Sequence, residues 1–152
     1  MKIAIGSDEK SHLTDVVVEE VKKRGHEVEL VGPLNNDNIA WPDVAEQVAE
    51  RVTRHEADEG ILFCWTGTGV SMAANKVPGI RAALCGDAET AKGARLWNRA
   101  NVLAMSLRAT PEIIAKEILE AWFNTPLGTD PSDVAAVEHV AQIEKRYSKS
   151  DE

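Results

Sequence analysis

Short apolar runs alternate along this chain with longer stretches in which apolar residues recur at helical spacing. Lys2–Ile5 reads as a buried strand. Within Leu13–Lys23, Val17, Val18 and Val21 share one helical face, and Gly25 suits the C-cap. Val28–Val31 alternates with charged neighbours, the period of a second strand. Trp41-Pro42-Asp43 opens a helix to about Arg54, with Pro42 in the first turn, where a missing N–H is tolerated. Gly60–Cys64 is apolar without interruption, as in a parallel strand covered on both faces. A Gly-containing turn and a helix to about Lys76 follow. Next come a strand at Arg81–Cys85, a helix capped by Asp87 and running to about Leu96, and a strand at Asn101–Met105. Helices at Pro111–Phe123 and Pro131–Tyr147 complete the pattern.

Regular alternation of strand and helix predicts an α/β fold, a doubly wound parallel sheet with helices on both faces. Residues 1–147 are expected to form a single domain, with 148–152 as a frayed tail. In such sheets ligands collect beyond the carboxyl ends of the strands, near the point where strand order reverses. That rule selects Ser7–Glu9, Cys64–Ser71, Gly86–Asp87 and Ser106–Arg108.

Composition narrows the classes. The hydrophobic fraction of 43% and charged fraction of 28% are those of a globular protein. No apolar run approaches the roughly 20 residues needed to cross a bilayer, and the start lacks a signal peptide's apolar core, so a cytoplasmic location is expected. Two cysteines, Cys64 and Cys85, are too few for a disulfide scaffold and lack zinc-motif spacing. The net charge of -8 argues against nucleic acid or an anionic membrane as partner. His12, His26, His55 and His139 show no metal-like spacing and read as surface or capping residues.

Most chemistry resides in Cys64-Trp65-Thr66-Gly67-Thr68-Gly69-Val70-Ser71, which joins the apolar strand to a helix. Gly67 and Gly69 permit close main-chain approach, and the free N–H groups of a helix start can face a phosphate, a carboxylate or an enediolate oxygen. The segment is neither a Walker loop nor a full dinucleotide fingerprint. Many Gly-rich βα turns are only tight connections, so the turn alone leaves both readings open. Cys64, at the strand end before the turn, suits a base or nucleophile whose thiol is acidified by helix dipoles, and equally a small apolar core residue. Cys85 has no such turn after it and reads as structural.

Gly60–Cys64 and the run Gly67–Leu84 closely resemble the type B ribose-5-phosphate isomerase and galactose-6-phosphate isomerase family. So do Lys2–Asp8, Trp41-Pro42-Asp43, Asn98, Ala100–Ala104 and Asn124-Thr125-Pro126, so that the likeness spans about residues 1–126. The resemblance implies a Rossmann-like fold with a five-stranded sheet, dimers or tetramers with active sites at the subunit interface, and no metal or cofactor. It implies that Cys64 moves a proton between C1 and C2 of a sugar or sugar phosphate through an enediol. The amides of Gly67, Thr68, Gly69, Val70 and Ser71 would hold the enediolate oxygen. Asp8, Thr66 and Asn98 would contact substrate hydroxyls or assist ring opening, and Arg108 would bind phosphate.

The chain departs from the family pattern at four places. Glu9 stands where the family has a phosphate-binding histidine, and Trp97 where it has a ring-opening histidine. Trp65 replaces the glycine after the cysteine, and Asp130–Val137 carries no cation where the family has an arginine- and histidine-rich segment. Phosphate in a cleft needs charge-assisted donors. Glu9, Trp65 and Trp97 are therefore expected to line a site for an altered or non-phosphorylated substrate, with Arg108, Arg99 and Lys10 the remaining cations. A sugar-binding or regulatory subunit without catalysis is the competing reading. Nucleotide binding on a Rossmann-like frame has only fold analogy behind it.

Overall fold

The structure is a computed structural model, and it describes residues 1–148. Five parallel strands form one sheet in the order β2-β1-β3-β5-β4. They are β1 Lys2–Ser7, β2 Glu27–Val31, β3 Glu59–Cys64, β4 Ala82–Leu84 and β5 Val102–Ser106. The helices are α1 His12–Lys23, α2 Trp41–Thr53, α3 Thr68–Ala74, α4 Ala88–Asn98, α5 Glu112–Asn124 and α6 Pro131–Tyr147. The expected α/β/α arrangement holds, and all of β3 is buried at its centre.

Alternation along the strands divides the core in two. Ile3, Ile5, Ile61, Phe63, Leu103 and Met105 pack on the face covered by α1, α4 and α5. Ala4, Leu62, Cys64, Val102 and Ala104 face α2 and α3. On that second face the strand glycines set the depth of α2. A Cβ on Gly6 would meet Val44 at 2.6 Å, and one on Gly60 would meet Val48 at 2.7 Å. Close docking of α2 on β1 and β3 thus depends on missing side chains.

A buried ion pair joins β3 to α4 and α5. Arg95 meets Glu59 at 2.8 Å, the Trp122 indole N–H donates to the same carboxylate at 2.7 Å, and the guanidinium lies 4.8 Å over the Trp122 ring. Arg95 also donates to the carbonyls of Ala100 and Thr125, so the buried charge is fully partnered.

Several boundaries differ from the sequence expectation. Strand β1 runs to Ser7, past Ile5, because Gly6 and Ser7 pair with Leu62 and Phe63. Helix α3 stops at Ala74, short of Lys76, because Asn75 turns its side-chain amide onto β4. It accepts from the Ala82 N–H at 2.7 Å and donates to the Ala82 carbonyl at 3.0 Å, mimicking a neighbouring strand. Helix α4 continues to Asn98, where Arg99 takes the left-handed conformation. A 3₁₀ turn at Gly32–Asn35 had no clear signal. The α1 end matches, with Gly25 at φ 86° just past the cap. Of the expected frayed tail, residues 149–152 lie outside the described residues. Helix α6 contacts α4 yet contains no buried residue.

Candidate active site

Strand order reverses between β1 and β3, whose outgoing helices leave toward opposite edges of the sheet. Their carboxyl ends therefore flank a crevice. On the β1 side, Ser7 is fully buried. Its hydroxyl donates to the Glu9 carbonyl at 2.6 Å and accepts from the Glu9 N–H at 3.3 Å, which folds Asp8 and Glu9 into a turn at the mouth. Burial, and then the charge of Glu9, raise the Asp8 carboxyl above its ordinary range, against a smaller opposing effect of its own main-chain N–H.

On the β3 side, Cys64 keeps 5% of its surface exposed and points to the sheet face that carries α3. The loop after β5 fixes this strand end. The Leu107 N–H donates to the Cys64 carbonyl and the Arg108 N–H to the Trp65 carbonyl, both at 3.0 Å. Ser106 adds a hydroxyl bond to the Trp65 carbonyl at 2.9 Å and accepts from the Ala109 N–H at 3.1 Å. Trp65, Thr66 and the Arg108 side chain are exposed at this mouth.

Gly67 caps α3 at φ 77°, in the left-handed region. The first bond back to it comes from the Ser71 N–H at 3.3 Å. The amides of Thr68, Gly69 and Val70 precede that bond and have no partner within the helix. The hydroxyls of Thr66 and Thr68 lie 2.7 Å apart above the turn. Cysteine, turn, Asp8–Glu9 and Arg108 thus converge at one end of the sheet. The second cysteine is a different case. Burial pushes the Cys85 thiol up to about 12, with a smaller contribution from Asp87, so it has no accessible thiolate at neutral pH.

Trp97 and Asn98 do not join this group within one protomer. They end α4 just before β5 begins, whereas Cys64 pairs with Ser106 at the far end of β5. At ~3.3 Å per residue along β5, the two sites lie at opposite ends of the sheet. Trp97 and Asn98 instead border a groove of about 1200 Å³ between the edge strand β4, α4 and α6, lined also by Leu84, Val140, Ile143 and Tyr147. Cys64 is not one of its walls. His12 bonds Glu112 at 3.1 Å and joins the starts of α1 and α5, a surface position as expected. Among the described residues, no three His, Cys, Asp or Glu side chains converge as metal ligands would.

Residues 3–143 match the family model described as Ribose/Galactose Isomerase. The chain belongs to this family. Ribose-5-phosphate isomerase B of Escherichia coli strain K12 is 41% identical over 122 residues, covering 80% of this chain and 82% of the relative. A D-erythrulose-4-phosphate isomerase of Pectobacterium atrosepticum is 36% identical over 126 residues, covering 82% and 83%. The structure of ribose-5-phosphate isomerase B from Clostridium thermocellum superposes with a TM-score of 0.90 at 39% identity, covering 97% of this chain and 100% of that one. Membership accounts for the likeness of Gly60–Leu84, and it favours catalysis over a binding-only role.

Proposed function

We propose that the chain is an aldose–ketose isomerase acting on a small sugar or sugar phosphate through an enediol, with Cys64 as the base. The observation that carries this is the placement of Cys64 at the strand-order reversal, on the same sheet face as the α3 start, where the amides of Thr68, Gly69 and Val70 have no partner within the helix. Abstracting a proton next to a carbonyl needs a positioned base and donors aimed at the oxygen that becomes negative. Cys64 takes the C2 proton of the open-chain aldose while O1 gains charge against the turn amides. Return of the proton to C1 gives the ketose. The hydroxyl proton passes from O2 to O1, so the reaction consumes no cofactor. Thr66 holds a substrate hydroxyl. Asp8, at the mouth beside Ser7, contacts substrate hydroxyls or assists ring opening, a task Trp97 cannot perform as a proton donor.

The site is completed by a second copy, in a homodimer or a tetramer built from it. Helix α6 has no buried residue, and Trp97, Leu84, Val140, Ile143 and Tyr147 leave large apolar surface exposed along the β4 groove. Pairing two chains there buries that surface and carries Asn98 of each toward the Cys64 of the other. Mixing Cys64→Ala with Asn98→Ala protein tests this: each is inactive alone, and mixed dimers regain turnover.

Glu9 beside Asp8 disfavours a doubly charged phosphate at this corner, leaving Lys10 and Arg108 as the local cations. We infer a substrate whose far end is less negative than a phosphate dianion, or is held by Arg108 away from Glu9. Isomerisation of free tetroses, pentoses and hexoses is to be measured beside that of their phosphates, in wild type, Cys64→Ala and Glu9→His. Turnover lost in Cys64→Ala, and a phosphate preference gained in Glu9→His, are the expected results. Full turnover in Cys64→Ala overturns the mechanism. Wild-type preference for ribose 5-phosphate at ordinary efficiency overturns the substrate reading.

A further inference from the structure

Trp41 touches the reactive turn without belonging to it. It is the first residue of α2, ahead of Pro42, and its indole lies flat on the main chain of Gly69. A Cβ on Gly69 would stand 3.0, 3.1 and 3.2 Å from three ring atoms. Such closeness is typical of a core residue, yet Trp41 is 41% exposed, whereas Trp122, which does fill the core, is 0% exposed. The ring therefore presses on the turn from the solvent side.

Its other end is anchored in the frame. Trp41 leads directly into Val44 and Val48, which sit against Gly6 of β1 and Gly60 of β3. Strand β3 carries Cys64. Trp41 thus bridges the element that holds the sulfur and the turn that holds the amides. The turn needs such a stop, because α3 has seven residues and a helix that short has little stability of its own. Asn75 pins the far end of α3 to Ala82, and Gly67 fits against Met105 at the near end. Between these two pins, the Trp41 ring limits how far the Gly69 main chain can move away from the sheet.

On the reading of the site given above, we propose that Trp41 is a positioning residue for the isomerisation. It holds the Gly67–Ser71 amides in register with Cys64 and takes no part in proton transfer. Displacement of an oxyanion donor by about 1 Å is enough to cost ~10²-fold in rate. Loss of the ring therefore lowers kcat much more than it raises KM, because ground-state contacts with the sugar lie elsewhere.

The test compares wild type, Trp41→Ala, Trp41→Phe and Gly69→Ala, all full-length, on the aldose that wild type turns over fastest. Binding of the hydroxamate analogue of that sugar, a planar anionic mimic of the enediolate, is measured by calorimetry. The expected result for Trp41→Ala is a fall in kcat and in hydroxamate affinity of about 10- to 100-fold, with KM within about threefold. Trp41→Phe, which keeps a flat ring, recovers most of both. Gly69→Ala pushes a methyl group into the same ring and reproduces the kcat loss, so the question stays open to test if Trp41→Ala fails to fold. Wild-type kcat and hydroxamate affinity in both Trp41→Ala and Gly69→Ala overturn the positioning role while leaving the isomerase reading intact. Absence of aldose–ketose exchange in the wild type itself overturns the isomerase reading, and the positioning role with it.

Discussion

Gly67 rests with its α-carbon against the main chain of Met105. A Cβ at that position would stand 2.9 Å from the Met105 carbonyl carbon and 3.0 Å from its oxygen, and the residue is already at φ 77°. Backbone on the neighbouring strand cannot rotate aside as a side chain can. The turn that starts α3 is therefore tied to β5 through the absence of a side chain, and the same β5 end holds the Cys64 and Trp65 carbonyls through Leu107, Arg108 and Ser106.

Gly67→Ala should accordingly act on both fold and chemistry. The left-handed conformation alone costs a non-glycine residue about 1 kcal/mol, and the Met105 contact adds to that. Urea unfolding is expected to show a loss of at least this size. Turnover should fall by about 10²-fold, the effect of losing one oxyanion donor, because the turn must shift outward to admit the methyl group. Wild-type stability and turnover in this variant would contradict the placement of the turn.

The two thiols provide an independent check. Both are buried, but Cys64 keeps 5% of its surface exposed next to the exposed Trp65 and Thr66, whereas Cys85 keeps 1% and is held up to about 12 by burial. Only the thiolate reacts with iodoacetamide. Mass spectrometry after alkylation of the native protein near pH 8 should find the label on Cys64, with activity lost in parallel and both effects slowed by substrate. Labelling of Cys85 at a comparable rate would mean that its surroundings open far more readily than the packing indicates.

Much of this arrangement was legible along the chain, for reasons that can be traced. Gly60–Cys64 announces a central strand because both of its faces are covered, which removes the polar alternation of an edge strand. The crevice followed from topology, since a doubly wound sheet places it where strand order reverses. The Asn75 clasp on Ala82 and the Trp41–Gly69 contact were not legible, because each joins segments whose relation is set only by tertiary packing. Trp41 did carry a signal, an aromatic directly before Pro-Asp at a helix start, but it indicated the helix and not what the ring would touch. Trp97 and Asn98 show the remaining limit. Motif likeness assigns them to the site of Cys64, while the path of α4 takes them to the opposite end of the same protomer.

The Glu59–Arg95 pair makes a prediction about the frame that carries Cys64. Glu59 begins β3, and Arg95 reaches it from α4 with Trp122 completing the cluster. Removing one partner leaves the other charge buried and unpaired, which typically destabilises by about 3–5 kcal/mol. Arg95→Met should therefore lose that much in urea unfolding. Adding Glu59→Gln to Arg95→Met should restore a good part of it, because the uncompensated charge is gone. A single variant within about 1 kcal/mol of wild type would indicate that water reaches the carboxylate, contrary to its burial.

Asp8 ties stability to pH at the mouth itself. Its folded-state pKa lies above the ordinary 3.8, first through burial and then through the charge of Glu9. The fold thus favours the protonated carboxyl. The associated stability is complete below the unfolded-state value and is lost as pH rises through the folded-state value. Beyond that window the ionised group is partly desolvated and faces another anion, which opposes folding. Asp8→Asn removes the titration, so its melting temperature relative to wild type should climb as pH rises from about 3 through the Asp8 window and level off above it. Glu9→Gln removes only the second cause and should lower the Asp8 midpoint without returning it fully to 3.8, which carbon-detected NMR titration can follow. Both variants keep Cys64 and its turn. A role in ring opening predicts that Asp8→Asn slows turnover of cyclic sugars while leaving an aldose that cannot close its ring unaffected. Equal slowing of both would place Asp8 in contact with the open chain instead.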